Sequence, residues 1–296
     1  MDLAQERKAL RKQLRKEKTK RFFKAMFSRR LVILGLVGFL FFLFIAIFAG
    51  VLSPYDRDAL DYSALLEGPS AAHWLGTDAL GRDTLTRIMY GARVSIIVGV
   101  VAVAIACVVG VFLGLCTAYF GGWVDTVIMR LSEALMAVPR IMVSMALIAI
   151  LGNSMMDLAV ILSFSTIPMY IRMTRAMALG IKNTDYVKAA QIQGGSSLYI
   201  MFRHVLPNSI SPIIILMMQN VGMTILMESG LSFLGIGITI PIPSWGTMVE
   251  AGRMYLLACP VLAISPGACV ALLVISLNLL GDGIRDALDP RLRGEV

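Results

Sequence analysis

Three groups of residues in this chain have types and spacings that could do chemistry, and none is arranged as a catalytic centre. The first is a polar stretch between two apolar runs, Asp185 to Pro207, with Tyr186, Lys188, Ala189, Ala190, Gly194, Gly195, Leu206 and Pro207 at set distances. The second is a scatter of polar side chains inside apolar sequence: Glu133, Arg140, Gln219, Asn220 and Glu228. The third lies in two intervening segments, around Thr77, Asp78, Arg82 and Asp83 and again around Pro243 and Trp245. A phosphate-cradling G-x-x-x-x-G-K-[ST], an H-E-x-x-H and a G-x-S-x-G are absent. His73 and His204 are the only histidines, so no metal-spaced cluster exists. The chemistry open to these residues is recognition, and any uphill work needs an outside source of energy.

The stretch 185–207 reads locally as two short helices with a sharp joint. Asp185 is placed as the N-cap of the first, Gly194-Gly195 supply a positive φ at its end, and Ser196 caps the second. Ala189 and Ala190 let another protein's surface approach the backbone, and Pro207 fits the first turn of the next helix. This pattern predicts a docking element for a separate protein.

The elements that must position these groups are helices in a membrane. Hydrophobic residues make up 57% of the chain and charged ones 16%, and the apolar residues come in blocks. A run of about 20 uncharged residues crosses a bilayer as a helix. Six such runs are predicted: 31–52, 94–119, 126–151, 156–178, 208–228 and 261–281. Without period-two alternation a barrel is excluded, which leaves an all-α polytopic bundle. The organisation is a basic tail (1–30), a first span (31–52), an external segment (53–92), a core (93–281) and a short polar tail (282–296), in which Asp289-Pro290 stops any helix.

Charge sets the expected orientation. Residues 1–30 carry twelve Lys and Arg against three acidic residues, a net +9 in a chain of net +8, so the remainder is nearly neutral. A basic tail beside a first span predicts a cytoplasmic N-terminus. Alternation then places 179–207 and the C-terminus inside as well, and with Arg130, Arg172, Arg175, Lys182, Lys188, Arg203, Arg285, Arg291 and Arg293 it gathers 21 of the 27 basic residues on that side. No groove-reading motif accompanies the tail, so nucleic acid is not the expected partner. The first span is too long for a cleavable signal peptide. Cys107, Cys116, Cys259 and Cys269 form no C-x-x-C pair and read as small core residues.

Several expectations concern particular spans. Asp78 or Thr77 caps a short amphipathic helix with Leu80, Leu85, Ile88 and Met89 on one face, read either as an interfacial helix or as a binding surface. The second span, rich in Gly, Ala and Val, belongs at the centre of the bundle. Gly121-Gly122-Trp123 makes a tight turn. In the third span Glu133 and Arg140 are seven apart and share a face if the helix is continuous, while Pro139 can kink it. Pro241, Pro243 and Trp245, between glycines, predict rigid non-helical structure at the bilayer surface.

The stretch 185–207 resembles the coupling loop of binding-protein-dependent ABC importer permeases, whose pattern is Glu-Ala-Ala, three residues, Gly, nine residues, Ile-x-Leu-Pro. Ala189-Ala190, Gly194 and Leu206-Pro207 stand at those positions. His204 occupies the Ile position, as is ordinary in the peptide-importer branch. Lys188 stands where an acid is usual, a departure that bears on a salt bridge to the ATPase and not on docking. Leu75-Gly-Thr-Asp, Gly81-Arg-Asp, Gly121-Gly-Trp, Gly230-Leu-Ser-Phe-Leu-Gly, Pro243-Ser-Trp-Gly and Asn278-Leu-Leu-Gly-Asp-Gly-Ile-Arg-Asp-Ala-Leu-Asp-Pro290 also look like the second permease subunit of dipeptide, oligopeptide and nickel importers. The resemblance runs from about residue 20 to 293.

It implies a six-span type I importer (MetI-like) bundle and a heterodimer with a homologous permease subunit. It further implies two cytoplasmic ABC ATPase subunits carrying ATP and Mg, an extracytoplasmic solute-binding protein, and residence in a bacterial or archaeal cytoplasmic membrane. No cofactor is expected in this chain. Alternating access would be driven through 185–207, with Thr77, Asp78, Arg82, Asp83, Pro243 and Trp245 on the external face and Glu133, Arg140, Gln219, Asn220 and Glu228 near the cargo route. The rival readings are a gradient-driven secondary transporter, which predicts inverted repeats, and a membrane scaffold or peptide-resistance component of the same fold.

Overall fold

The computed structural model describes residues 29–288 except Ile240, together with Leu10, Gln13, Lys16, Glu17, Met26 and Phe27. Most of the basic tail and Asp289-Pro290 lie outside the described residues. Ten α-helices follow one another among these: α1 (Arg30–Leu52), α2 (Thr84–Phe120), α3 (Gly122–Ala137), α4 (Arg140–Leu151), α5 (Met155–Lys182), α6 (Asp185–Ile192), α7 (Ser197–Ile200), α8 (Leu206–Phe233), α9 (Trp245–Arg253) and α10 (Val261–Leu288). Among the described residues five spans are long and apolar enough to cross a membrane, and α3 with α4 makes a sixth if that bent pair is one span. Among the described residues no regular strand forms. The protein is a multi-span, all-helical membrane protein.

α2 is the central helix, as its small residues predict. It packs most extensively against α5 and also touches α1, α3, α8 and α9. The contact depends on missing side chains. A Cβ on Gly114 would lie 2.7 Å from both the Ile171 carbonyl oxygen and Thr174 Cβ, and one on Gly110 would overlap Tyr170 Cβ. Without a hydrophobic drive between helices in lipid, such close backbone approach supplies the packing. Cys107, Cys116, Cys259 and Cys269 are free thiols, Cys259 buried and the others half-buried.

Several expected boundaries are corrected. The second span begins at Thr84, not 94, so residues 85–92 belong to α2 and the external segment is shorter than 53–92. Its cap is Asp83, whose Oδ2 accepts from Thr86 N at 2.7 Å. Asp78 is occupied instead by Leu80 N, Arg82 N and Arg82 Nε, and it closes a turn in which Gly81 takes φ +73°. A side chain at Gly81 would also strike the Asp61 carbonyl, so the glycine is required twice over. The short separate helix is therefore absent, and Leu80 lies outside α2.

The third span is broken rather than kinked. α3 and α4 meet at 96° across Val138-Pro139, because proline lacks the N–H that would continue the ladder and forces the preceding residue toward extended backbone. Val138 sits at φ −93°, ψ 134°. Gly121, at φ 65°, makes the tight turn expected between α2 and α3. α10 continues to Leu288, seven residues past the predicted end of the last span.

Trp245 differs most from expectation. It is fully buried and starts α9, a nine-residue helix capped by Ser244, where a non-helical surface structure was predicted. Its Nε1 donates to the Ile88 carbonyl of α2 at 2.9 Å, and its ring meets Phe42 of α1 edge-on at 5.4 Å. One indole thus ties three helices at one end of the bundle.

Candidate functional site: the coupling segment and the polar interior

The segment 183–207 lies at the end of the bundle opposite Trp245. Thr184, not Asp185, is the N-cap residue of α6, and it makes no side-chain cap bond because its Oγ1 donates to the Ile181 carbonyl at 2.7 Å. Asp185 sits one position inside, where a carboxylate faces the positive end of the helix. Gly194 ends the turn at φ +80°, and Gly195 N donates to the Ala190 carbonyl at 3.1 Å. A Cβ on Gly195 would come within 2.9 Å of that same oxygen. Ser196 caps α7 through Tyr199 N, as predicted.

The second arm is not a short helix. α7 passes through a π turn, Met201–Val205, straight into α8, so helical backbone runs unbroken from Ser197 to Phe233. Leu206 N reaches back five residues to the Met201 carbonyl. This wide turn carries the chain past Pro207, which has no N–H to give. Asn208 Nδ2 and Ser209 Oγ donate back to the His204 and Val205 carbonyls at 2.7 and 3.0 Å, one turn earlier in the same helix.

The segment has two faces. Val187, Ile200, Met201 and Val205 are buried in the main core cluster. Tyr186, Ile192, Leu198, Tyr199 and Phe202 are exposed, Ile192 at 87%. Exposed Asp185, Lys188, Gln191, Gln193 and Arg203 are interleaved with them. Lipid does not suit such a mixed surface, whereas a protein interface does.

Three residues that sequence reasoning did not assign to the site fasten together the helices from which this segment emerges. Lys182, the last residue of α5, donates from Nζ to the Ala118 and Tyr119 carbonyls at 3.0 and 2.6 Å. It neutralises the C-terminal end of α2 just before the chain enters α6. Arg175 on α5 grips Asp125 on α3 through two 2.6 Å bonds. The faint signal was position: a lysine in a last turn, and an acid directly after Gly-Gly-Trp-Val.

The interior polar residues divide. Arg140, at the start of α4, donates to Met169 Sδ at 3.5 Å, and Asn220 on α8 approaches the same sulfur at 3.9 Å. Gln219 and Asn220 line one cavity with Met169. Glu133 is elsewhere: it is exposed and pairs with Arg130 at 2.9 Å, and the break at Pro139 removes the expected shared face with Arg140. Glu228 is wholly buried. Ser232 Oγ donates to it at 2.8 Å, and Ser95 and Ser229 lie at 3.4 Å, so in this conformation it holds α2 to α8 out of contact with water. At the other end Thr77, Asp83, Pro243 and Trp245 are buried within the chain, which leaves Asp78 and Arg82, joined at 2.7 Å, as the part-exposed members of that group.

Residues 106–294 match the binding-protein-dependent transport system inner membrane component family, and residues 18–69 match the N-terminal TM domain of oligopeptide transport permease C. The chain belongs to the family of binding-protein-dependent transport system inner membrane components, with the MetI-like fold. Among its relatives it is 42% identical over 250 residues to the glutathione transport system permease protein GsiD of Pectobacterium atrosepticum, covering 84% of this chain and 83% of that one. It is 39% identical over 271 residues to the dipeptide transport system permease protein DppC of Alkalihalophilus pseudofirmus, covering 92% and 89%. GsiD of Escherichia coli O157:H7 is 38% identical over 251 residues, covering 84% and 83%.

Proposed function

We propose that this chain is one of two permease subunits of an ATP-driven importer that moves small peptides, of two to a few residues or of the glutathione type, across a bacterial or archaeal cytoplasmic membrane. The observation that carries the reading is the two-faced segment 185–205. Its inner face is part of the core, through Val187 and Ile200, and its outer face presents exposed Tyr186, Ile192, Leu198 and Tyr199. That surface receives a cytoplasmic ATPase subunit, on which ATP and Mg are held. A homologous permease faces this chain across the bundle, and a solute-binding protein delivers cargo at the Trp245 end. The basic tail and both termini lie in the cytoplasm.

The mechanism is alternating access without covalent chemistry in this chain. Closure of the two ATPases on ATP displaces α6 and α7. Lys182 passes the displacement to the end of α2, and the unbroken α7–α8 helix passes it along the fifth span. Both α2 and α8 reach the opposite end, where Trp245 is bonded to α2, so movement at one mouth is felt at the other. Hydrolysis resets the bundle.

The test is uptake by the full importer in proteoliposomes. A labelled dipeptide accumulates only with internal ATP and with loaded binding protein outside. Accumulation driven by an ion gradient, with this chain alone, overturns the reading.

A further inference from the structure

α8 and α10 pack closely where α8 has Gly222 and α10 has Gly281. Asn278 Oδ1 lies 3.5 Å from where a Cβ of Gly222 would be, and Gln219 Cγ lies 3.7 Å from where a Cβ of Gly281 would be. Beside this contact opens a cavity of about 420 Å³. Its polar lining is Gln219, Asn220, Asn278 and Asp282, and its apolar lining includes Met169 and Met223. Gln219 and Met223 are four apart on α8, as are Asn278 and Asp282 on α10, so each helix contributes one strip.

These polar groups are largely uncommitted. Asn220 Nδ2 is directed to Tyr170 Oη at 3.4 Å and Met169 Sδ at 3.9 Å, which leaves its carbonyl oxygen available. Gln219, Asn278 and Asp282 make no side-chain hydrogen bond or ion pair among the described residues. Met169, Met223, Asn278 and Asp282 are exposed and Asn220 is buried, so the cavity opens on the side of the bundle rather than being enclosed. Polar side chains gathered on spanning helices ordinarily find partners within the bundle or serve a transported species.

We infer that this cavity is a binding site for the peptide in transit. Asp282 takes the α-ammonium. The three carboxamides, each with donors and an acceptor, pair with backbone N–H and C=O groups. Met169 and Met223 form a pliable wall that accepts differing side chains, as methionine does at promiscuous surfaces. The volume fits the range of small-molecule sites, roughly 300–1,000 Å³. Other ligand classes fit less well. No Lys or Arg lines the cavity, so a free anion finds no counter-charge on this chain and, of the proposed cargoes, a neutral dipeptide fits better than an acidic peptide of the glutathione type. Among the described residues no cluster of three His, Cys, Asp or Glu forms that could hold a free divalent cation. The inference rests on the peptide-importer reading, and it adds the recognition chemistry within this chain.

The experiment uses the complete reconstituted importer with its binding protein, and reads labelled dialanine taken up per ATP hydrolysed. Asp282→Asn and Asn278→Leu are each expected to lower that ratio at least fivefold while ATPase stimulation by loaded binding protein stays within twofold. Asp282→Glu is expected to restore most of the ratio. An unchanged ratio in Asp282→Asn and Asn278→Leu overturns the site. So does loss of the sister permease from the purified Asp282→Asn complex, which would make Asp282 a subunit contact. A wild-type importer that hydrolyses ATP but accumulates no peptide refutes the peptide reading itself, and that outcome is visible before any variant is made.

Discussion

Arg175 on α5 and Asp125 on α3 are joined by two parallel hydrogen bonds of 2.6 Å, between helices that belong to different spans. Both side chains are partly exposed, so solvent tempers the pair, yet the bidentate geometry is the strong form of a charged contact. Arg175→Lys keeps the charge and loses the fork. A double-mutant cycle with Arg175→Gln and Asp125→Asn is expected to give a coupling of about 1 kcal/mol in the thermal unfolding of the detergent-purified subunit. A coupling indistinguishable from zero means the pair does not fasten α3 to α5.

Lys182 predicts a functional loss rather than a stability loss. Its ammonium links the last carbonyls of α2 to the residue before α6. Lys182→Met keeps the aliphatic stem but removes the link, so ATP hydrolysis continues while uptake per ATP falls severalfold. Lys182→Arg retains most coupling. Uptake and phosphate release, measured in one proteoliposome assay, decide it.

Gly194 takes φ +80°, a region closed to proline, whose ring fixes φ near −65°. Gly194→Pro is expected to abolish uptake while the subunit still inserts and co-purifies with its sister permease. A bulky residue at Ala190, as in Ala190→Trp, has the same effect by holding the docking surface away. Normal transport by both variants in cells carrying the whole importer removes the docking role.

Trp245 predicts a stability loss at the other end. Trp245→Ala empties a fully buried site and costs about 3–5 kcal/mol. Trp245→Phe keeps a ring and loses the bond to the Ile88 carbonyl, which sits inside α2 and keeps its place in the helix ladder, so the penalty is the net value of one hydrogen bond, about 0.5–1.5 kcal/mol. The order of melting temperatures, wild type above Phe above Ala, checks it.

Much of the bundle was legible in the sequence because apolar length alone specifies a spanning helix. The central place of α2 followed from Gly110 and Gly114, whose absent side chains admit α5. Boundaries were less legible where tertiary partners decide them. On paper Asp78 or Thr77 reads as the cap, and only the turn at Gly81, closed against Asp61, engages Asp78 and leaves the capping to Asp83. Trp245 resembled an interfacial anchor because its sequence neighbours are prolines and glycines. Its burial depends on Phe42 and Ile88, two hundred and more than one hundred and fifty residues earlier. The π turn at 201–205 carries no composition signal apart from Pro207 itself. Within the polar interior, residue type marked Gln219 and Asn220, but nothing local distinguishes them from Glu228, whose serine cage is assembled from α2 and α8.

Site-specific photocrosslinking at Leu198 tests the central claim most directly. A photoreactive side chain at this exposed position, activated in intact cells expressing the whole importer, is predicted to form an adduct with an ATP-binding subunit, in a yield that changes when the ATPase is trapped with vanadate. An adduct formed only with the solute-binding protein, or a cysteine at Leu198 that a membrane-impermeant reagent labels from outside the cell, would contradict the account.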